Sequence, residues 1–488
     1  MKRIFTLLLV VAILLSLVSC SLVTLPGGAD THTDTERTDT DTAPESTDGD
    51  DTHPSATPDR LASARDEAAA ALRAAPTGNF DGMSFIFTCT SSVAAFGEAD
   101  SPRALSREKY ALISKLNDRL NANIIVTEAV YEDILRGLTE GSGAGMVYTH
   151  MLSLDAYRIG TLSYNGHLGN INALPFVDLT KPYYDSDVCA AFTTPAGTWA
   201  VYGDGCKDYD DIGAIYYNSR LFALTGSSEP EVFVREGAWT LDKFAECIKA
   251  AVASDTFADG THTAVVTPDT ERSIRSFYIG SGMTSVTASE TGKLTASDNG
   301  ALGDRVVSSL KTALSSFKGG ALEGTSVEEI FFGGQALFYV GTLGSVEKLY
   351  NMGDVWGMLP MPTADGGAEY RSPIDRTTRV VCYPNSAYAN ETGIMIESLF
   401  SASYKLTDAA LRDDFLHKYV RNEKTIEMLG YVMGDVRADF LLAFESEYTR
   451  YGENTIGTFM SACYSNTAYS RLYKTARTAA NRSLAYVK

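Results

Sequence analysis

Residues 83 to 127 read MSFIFTCTSSVAAFGEADSPRALSREKYALISKLNDRLNANIIVT, and this stretch decides the fold class. The apolar runs at residues 83 to 88 and 123 to 127 each predict a short β-strand. Between them, residues 105 to 120 repeat leucine and isoleucine at the spacing of one helical face, which predicts an amphipathic helix. A strand, a helix and a strand in this order predict a β-α-β unit, in a parallel sheet that helices cover on both faces.

The alternation of strands and helices continues after this unit. Residues 132 to 138 predict a helix that stops at Gly141, Gly143 and Gly145, and residues 146 to 149 predict the next strand. Three alternate glycines also suggest a phosphate-binding loop. These glycines, however, follow a helix and precede a strand, whereas a dinucleotide-binding loop requires the order strand, glycines, helix. We therefore interpret the run as the end of a helix.

A second α/β run starts near residue 239. Thr240 is the expected N-cap of a helix with a buried stripe, and Trp239 beside it is expected to be structural. Residues 306 to 317 predict another amphipathic helix, and residues 336 to 340 and 379 to 383 predict strands. The last hundred residues look almost wholly helical. Two α/β lobes followed by a helical tail are the simplest interpretation.

Residues 1 to 20 predict export. Lys2 and Arg3 precede an uncharged apolar run from residue 4 to residue 18, which matches a secretory signal and is short for a membrane span. The ending Leu17-Val18-Ser19-Cys20 resembles the lipobox of bacterial lipoprotein signal peptides. This resemblance implies that Cys20 becomes the lipidated N-terminal residue, which would anchor the protein to the outer face of the cytoplasmic membrane. An ordinary secretory signal that ends in cysteine is the alternative.

Residues 21 to 60 are rich in Thr, Asp, Ser, Pro and Gly, with ten acidic residues and two arginines. This composition cannot build a core, so the segment is predicted to be a disordered tether. It carries −8 of the formal charge of −20, which leaves −14 on residues 61 to 488 when the positive signal is removed. Because an acidic chain without a basic block repels phosphate groups, we expect no nucleic-acid partner.

The cysteines and histidines form no recognisable metal motif. The six cysteines after Cys20 are far apart and include no Cys-x-x-Cys, which predicts buried thiols. The histidines are equally scattered, and His150 and His167, the nearest pair in the folded part, fit no ligand spacing. We therefore predict neither a metal nor a cofactor.

Four segments occur in the order that one protein family shows. They are LPFVDLTKPYYD at residues 174 to 185, IYYNSRLF at 215 to 222, VREGAWTLD at 234 to 242, and GQALFY at 334 to 339 with WGMLPMP at 356 to 362. On these segments the chain resembles a bacterial extracellular solute-binding protein of family 1, a receptor of ABC importers that mostly carry sugars and oligosaccharides. It departs from the family at Gly145-Met146-Val147, where many members carry an Asp, and at Tyr183-Tyr184, where Trp is commoner.

The resemblance implies an α/β, two-lobed, periplasmic-binding-protein-like (type II) fold with crossover hinge strands and a helical C-terminal region. The ligand would lie between the lobes, and hinge bending would close them around it. The implied parts of the folded region, residues 61 to 488, are lobe 1 at about 80–200 plus 345–375, lobe 2 at about 214–336 plus the C-terminal helices, and crossovers near 200–214, 336–344 and 372–384.

The resemblance also implies a function. A monomer would capture a small solute, foremost a carbohydrate or oligosaccharide, and deliver it to the permease subunits of an ABC transporter. The apolar C–H face of a sugar packs on aromatic rings, and its hydroxyls bond to polar side chains. The candidate ligand-binding residues are Tyr148, Tyr183, Tyr184, Trp199, Tyr278, Tyr339, Trp356 and Arg376. For Trp199 and Trp356, a structural role is the alternative.

Two other classes of function stay open. A cell-surface carbohydrate-active enzyme would need two carboxylates about 5 to 10 Å apart, which counting acidic residues cannot exclude. No Gly-x-Ser-x-Gly or His-Glu-x-x-His motif stands out, so we do not expect an enzyme. The other class is an adhesive or structural lipoprotein that keeps the lobed fold without transport.

Overall fold

The computed structural model divides the chain into Met1–Ala56 and Thr57–Lys488, and every described residue belongs to the second unit. The described residues are 59–144, 147–208, 210–226, 229–258, 260–289, 291–315, 317–319, 326–385, 388–415, 418, 423–448, 455–485 and 487. The signal segment, Cys20 and the tether up to residue 58 lie outside them, as does the Gly145-Met146 pair. Helix α1 begins at Arg60, where the Asp59 side chain accepts the Ala62 N–H, so the last predicted tether residue is already helical.

Within the described residues, the strands form two sheets and three short two-stranded ribbons. The strands are β1 (Ser84–Cys89), β2 (Asn123–Glu128), β3 (Met151–Asp155), β4 (Thr193–Thr194), β5 (Gly197–Thr198), β6 (Gly213–Asn218), β7 (Thr263–Thr267), β8 (Val286–Ala288), β9 (Leu294–Ala296), β10 (Phe317–Gly319), β11 (Ala336–Thr342), β12 (Trp356–Leu359), β13 (Ser372–Pro373), β14 (Arg379–Cys382) and β15 (Val436–Arg437).

Helices separate most of these strands. The α-helices are α1 (Arg60–Ala74), α2 (Ser92–Phe96), α3 (Ala104–Leu120), α4 (Tyr131–Ala144), α5 (Ile159–Tyr164), α6 (Ser186–Ala190), α7 (Ser219–Ala223), α8 (Pro230–Arg235), α9 (Leu241–Val252), α10 (Asp255–Ala258), α11 (Thr270–Gly280), α12 (Gly300–Leu314), α13 (Val327–Phe332), α14 (Val346–Leu349), α15 (Ala389–Ala402), α16 (Leu406–Asp414), α17 (Glu423–Gly434), α18 (Leu441–Tyr448), α19 (Thr455–Tyr464) and α20 (Tyr469–Leu484). Among these helices, none combines the length and the apolar character that a membrane crossing requires.

Lobe 1 is built on the four-stranded sheet, in the order β14-β3-β1-β2. Strand β1 runs parallel to both neighbours, with Phe85 opposite Ile124 and Phe87 opposite Met151, while β14 is antiparallel to β3. Both phenylalanines are buried, as the apolar run of β1 predicts. Helices α1, α3, α15 and α16 pack against one another on this lobe. The predicted β-α-β unit is therefore confirmed.

Lobe 2 is built on the five-stranded sheet, in the order β10-β7-β11-β6-β12. The central strand β11 is parallel to β7 and antiparallel to β6, and Phe338 lies between Val265 and Tyr217. The predicted helix after Trp239 is α9, whose Thr240 side chain accepts the Lys243 N–H as an N-cap. Helices α9, α12, α19 and α20 pack together on this lobe.

Three predicted boundaries are wrong. Residues 336–344 are not a crossover, because β11 is paired on both sides inside the lobe 2 sheet. The predicted 345–375 part of lobe 1 contains β12, which pairs with β6 in lobe 2. A strand buried on both faces is apolar at every position, so its sequence does not tell a sheet centre from a crossover. Of the C-terminal helices, α15 and α16 pack on lobe 1, whereas α17, α19 and α20 pack on lobe 2.

The chain passes between the two sheets near residues 202–212 and 374–378. Val201 forms a β-bridge with Val381 of β14 in lobe 1, and Ile212 forms one with Ile374 immediately before β6. Helix α18 makes a third connection, since it packs on α5 of lobe 1 and on α20 of lobe 2. These segments are the structural candidates for the hinge.

Helix α4 and strand β3 differ from their predicted bounds. The helix continues through Gly141 and Gly143 to Ala144, and the strand begins at Met151 rather than at residue 146. Glycine inside a helix costs about 1 kcal/mol relative to alanine, an amount that packing overrides. At Gly137 the same helix accommodates the Tyr148 ring, because a Cβ there would lie 2.4 Å from Cε2 of that ring.

The six cysteines of the described chain are buried, as predicted, and all of them are free thiols. Burial raises the pKa of Cys189 to about 12 and that of Cys463 to about 12. These thiols therefore act as small apolar side chains.

Candidate functional site

The carboxyl ends of the parallel strands of both lobes face one region between the lobes. Strand β3 ends at Asp155 and leads into Tyr157, and β7 ends at Thr267 and leads into Asp269. Open α/β sheets bind ligands in the crevice outside the carboxyl ends of their strands. This region is therefore the expected location of a ligand-binding site.

A cavity of about 300 Å³ occupies this region, and we call it the interlobe cleft. It draws residues from lobe 1, from the 374–378 crossover and from the first turns of α11 in lobe 2. The residues that line it are Tyr157, Asp269, Glu271, Arg272, Arg275, Asp375, Arg376 and Thr377. Both lobes and a hinge segment thus contribute to one cavity.

Helix α11 aims two arginines at the cleft. Asp269 is its N-cap and accepts the Arg272 N–H at 2.9 Å, which fixes the first turn. From this turn Arg272 Nε lies 2.8 Å from Asp375 Oδ2, an ion pair between lobe 2 and the crossover. Arg275, one turn later, donates to Glu445 of α18 at 2.9 Å. The arginines therefore connect α11 to two of the three segments that join the lobes, the 374–378 crossover and α18.

An aromatic face lies on the lobe 1 side of the cleft. The guanidinium of Arg158 sits 3.8 Å from the centre of the Tyr131 ring and 4.4 Å from that of Tyr157. The guanidinium of Arg376 lies 5.4 Å from the Tyr157 ring and 3.2 Å from Glu445. The three distances to ring centres are those of cation–π contacts, and the contacts of Arg158 and Arg376 hold the Tyr157 ring at the surface of the cavity.

The carboxylates in the cleft and beside it differ in their electrostatics. Burial and the neighbouring Asp375 raise the pKa of Asp211 to about 6, and its oxygen accepts the Thr377 hydroxyl at 3.4 Å. Burial also raises the pKa of Asp155, although the positive charge of Arg379 acts in the opposite direction. The pKa of Asp375 is lowered, because Arg272 and the Thr377 hydrogen bonds outweigh its burial. Asp211 is thus the carboxyl group here whose charge changes closest to neutral pH.

Arg376 is the one predicted ligand-binding residue that lines this cleft, with 39% of its side chain exposed. Tyr278 and Tyr339 are buried in lobe 2, where Tyr278 accepts a hydrogen bond from Asn299 at 2.9 Å. Trp356 is also buried there, and its Nε1 donates to the Leu349 carbonyl at 3.1 Å. These three rings serve the core.

The lobe 1 candidates also lie outside the cleft. Tyr183 and Tyr184 are buried and both donate to the Glu397 carboxylate, the second at 2.8 Å. Tyr148 precedes β3, so it lies at the edge of the sheet opposite the cleft. Trp199 is half-buried and donates to the Thr194 hydroxyl at 2.9 Å, beside a different cavity.

Tyr157, Asp375 and Arg272 line the cleft but are not among the predicted ligand-binding residues. A signal for Tyr157 exists, because it lies two residues after the end of the strand MLSLD. The sequence pattern predicts that strand at residues 146 to 149, so the predicted carboxyl end lies six residues before the end of β3 at Asp155. Asp375 and Arg272 offer no sequence signal of their own, because surface acids and arginines are common. Among the described residues, no group of three His, Cys, Asp or Glu side chains could hold a metal ion.

Known proteins were compared with the chain by sequence and by structure. Neither the protein-family models nor the curated proteins give a match. The sugar-binding protein MalE of Xanthomonas citri superposes with a TM-score of 0.57 at 12% identity, over 82% of this chain and 97% of that one. The chain has the fold of family 1 extracellular solute-binding proteins.

Two further structures share this fold with the chain. A family 1 extracellular solute-binding protein from Bifidobacterium longum subsp. infantis gives a TM-score of 0.54 at 13% identity, over 84% of this chain and 100% of that one. The cyclic alpha-maltosyl-1,6-maltose binding protein of Arthrobacter globiformis gives 0.54 at 13% identity, over 83% and 99%. The two-lobed type II prediction is confirmed, and the similar structures are binding proteins rather than enzymes.

Proposed function

We propose that this chain is an extracellular solute-binding protein that captures a carbohydrate or oligosaccharide and delivers it to an ABC permease. The observation that carries this proposal is the composition of the interlobe cleft. Both lobes and the 374–378 crossover line one cavity, in which a tyrosine ring lies beside arginines and carboxylates. A solute there touches every part that hinge bending moves.

The chemistry of the cleft suits a sugar. The Tyr157 ring offers a face for the apolar C–H side of a pyranose, and Asp375, Arg376 and Thr377 offer acceptors and donors for its hydroxyls. Because the arginines are already paired with carboxylates, the cleft has little net charge to select a strongly ionic ligand. The names of two similar structures, a sugar-binding protein and a maltosyl-maltose binding protein, point the same way.

Closure follows from differential contact. A solute that binds one lobe equally well in the open and the closed form does not shift the equilibrium between these forms. A solute held by Tyr157 of lobe 1 and by Arg272 of lobe 2 gains its second set of contacts only when the lobes approach. We therefore propose that the closed form carries the solute to the permease.

The test is a titration of linear and cyclic maltodextrins, with melting temperature and calorimetry as readouts. A bound sugar stabilises the protein by RT ln(1 + [L]/Kd). We expect Tyr157→Ala and Arg376→Ala to raise Kd at least tenfold, or about 1.4 kcal/mol. Matched controls are Tyr164→Ala, an exposed tyrosine of lobe 1, and Arg305→Ala, in a surface pair with Asp365.

An unchanged melting temperature across the panel would contradict the sugar proposal, as would equal losses for Tyr157→Ala and Tyr164→Ala. We also propose that the solute is not transformed. Sugars recovered after overnight incubation should be chemically intact, and any hydrolysis product would favour the enzyme instead.

The anchor and the tether belong to the same proposal. Lipidation at Cys20 would hold the protein at the outer face of the cytoplasmic membrane, and residues 21 to 60 would give the lobes reach toward the permease. A Cys20→Ala chain expressed in cells should leave the membrane fraction and appear in the surrounding fluid. Continued membrane retention of that variant would argue against the anchor.

A further inference from the structure

A second cavity lies between the lobes and is larger than the interlobe cleft, at about 430 Å³. Lobe 1 contributes Ala190 of α6 and Thr194 and Thr198 of the β4–β5 ribbon. Lobe 2 contributes Val286 and Leu294 of the β8–β9 ribbon. We call this cavity the threonine groove. Its volume is within the range of small-molecule sites, and it has no part in the proposed function.

The chain segment at residues 438 to 445 runs from the groove to the cleft. Asp439 and Phe440, at its start, line the groove. Glu445, at its end, pairs with Arg275 and Arg376, which line the cleft. Both cavities are bounded by both lobes, and they lie at the two ends of this connecting segment.

The charged groups of the groove are already satisfied. Asp187 pairs with Arg437 at 2.7 Å, and Asp439 accepts the backbone N–H groups of Ser285 at 2.7 Å and Leu441 at 3.0 Å. A ligand that carried a charge would find no unpaired opposite charge among the described residues of the lining. An uncharged ligand therefore suits the groove.

One buried hydroxyl of the lining has a hydrogen to donate. Thr194 is 6% exposed, and its oxygen accepts from Trp199 Nε1 at 2.9 Å and from the Ala196 N–H at 3.3 Å. Both lone pairs are then in use, and the hydroxyl proton has no acceptor within the part of the chain that the structure describes. Leu179, Val286 and Leu294 supply an apolar wall nearby. A ligand with hydroxyl oxygens and an apolar C–H face satisfies both features.

We propose that the threonine groove is a second binding site, for an uncharged polyhydroxylated ligand of the sugar or polyol class, and that its occupation opposes closure of the cleft. The coupling rests on the proposed function. With the hinge axis at residues 438 to 445, a rotation that brings the lobes together at the cleft separates them at the groove. A ligand that holds both lobes at the groove thus favours the open cleft and weakens solute binding there.

Maltose is the probe for the site. Tyr157→Ala impairs the cleft. Any maltose-binding event that calorimetry still detects in this variant therefore belongs to the groove. Adding Thr194→Val should weaken that event roughly tenfold, about 1.4 kcal/mol, by removing the donor. Adding Thr287→Trp, on the same β8–β9 ribbon but outside the lining, should leave it unchanged. Absence of the event in Tyr157→Ala, or its indifference to Thr194→Val, would overturn the site.

Ala190→Trp tests the coupling, because the indole fills the groove permanently from an exposed position. We expect the maltose event that depends on Tyr157 to weaken several-fold in Ala190→Trp and to stay unchanged in Thr287→Trp. Equal affinity of these two variants would disprove the coupling. A maltose event that Thr194→Val weakens and Tyr157→Ala spares would establish the groove while refuting the proposed function at the cleft.

Discussion

Glu397 is a carboxylate buried in lobe 1, where the hydroxyls of Tyr183 and Tyr184 both donate to it. Burial and the adjacent carboxylate raise the pKa of Tyr183 well above its ordinary range, so the phenol stays a donor. The Tyr184 ring also stacks on Phe400, with ring centres 4.7 Å apart. The three polar groups join the 183–184 loop to helix α15.

Removing one donor from Glu397 should destabilise the protein. We expect Tyr184→Phe to lower the free energy of unfolding by about 1–3 kcal/mol, because a buried carboxylate loses a hydrogen bond. Urea denaturation measures this change. Tyr110→Phe, at a tyrosine that is 54% exposed, is the control and should have no effect. Equal stability of the two variants would show that the carboxylate gains nothing from Tyr184.

His150 makes lobe 1 sensitive to acid. Its Nδ1 accepts the Ile86 N–H at 2.9 Å, and its ring stacks on Phe85 at 4.9 Å. Burial lowers the pKa of His150, although the negative charge of Glu391 acts the other way. The folded state therefore keeps the ring neutral at a pH where the unfolded chain binds a proton. Stability should fall as the pH drops below about 6.5, the ordinary histidine value.

A pH series of urea denaturation tests the role of His150. Wild type should lose stability between about pH 7 and pH 5, a window set by the ordinary histidine pKa near 6.5. His150→Asn keeps an acceptor for the Ile86 N–H but does not titrate, so its loss should be smaller. His167→Asn serves as the control substitution. Parallel pH profiles for His150→Asn and wild type would rule out the proposed sensitivity.

At the level of single residues, the sequence did not identify which aromatic side chains meet a ligand. Aromatic rings are the natural partners of sugars, but they are also the largest core side chains, and the sequence of Tyr278 or Tyr339 does not distinguish these roles. Arg376 was found because the family resemblance placed it at a crossover. The location of a residue relative to the strand ends, rather than its type, decides whether it meets a ligand.

At the scale of elements, the sequence predicted well wherever periodicity and capping agree. Helix α3 and strands β1, β2 and β14 lie within two residues of their predicted bounds, and α9 begins directly after its predicted N-cap. The misplaced β3 shows the limit, since a short run after three glycines has no strong periodicity to fix its start. The position of β11 at the centre of the lobe 2 sheet was not predicted for another reason. Strand pairing depends on residues far apart in the chain, which a local pattern does not reveal.

Helix α18 depends on a glycine of lobe 1. A Cβ on Gly160 of α5 would lie 2.3 Å from the Ala443 carbonyl oxygen, so the two helices touch at the backbone. Beside this contact, Thr161 donates to Glu447 at 3.1 Å. The close approach holds in place the segment that borders both the cleft and the groove.

Gly160→Ala should push α18 away from lobe 1. We expect a loss of about 1–3 kcal/mol in the free energy of unfolding, as for other overpacked contacts. Gly430→Ala is the matched control, because that helical glycine has open space at its Cβ position and should be neutral or stabilising. Thermal and urea denaturation measure both variants. A Gly160→Ala protein as stable as Gly430→Ala would mean that the helices can separate freely.

At the scale of the whole molecule, both lobes share one continuous cluster of buried apolar side chains, which includes Phe85 of lobe 1 and Trp239 of lobe 2. The resemblance predicted the two lobes and two of the crossings. It did not predict that the C-terminal helices divide between the lobes, because the distribution of late helices depends on tertiary packing. The shared core implies that the lobes stabilise each other.

We expect a single unfolding transition for both lobes. Trp199 reports on lobe 1, whereas Trp239 and Trp356 report on lobe 2, so a Trp199→Phe variant confines the fluorescence signal to lobe 2. Its midpoint in urea should coincide with that from far-UV circular dichroism, which follows both lobes. Two separate midpoints would show that each lobe unfolds alone.

The chain order of the two sheets has a consequence for how the protein is made. All five strands of the lobe 2 sheet lie between Gly213 and Leu359, without interruption by lobe 1. The lobe 1 sheet, by contrast, takes its edge strand β14 from residues 379–382, long after β3. As synthesis proceeds from the N-terminus, the second lobe acquires a complete sheet first. The first lobe, although it emerges earlier, must hold three strands open until the chain returns to it.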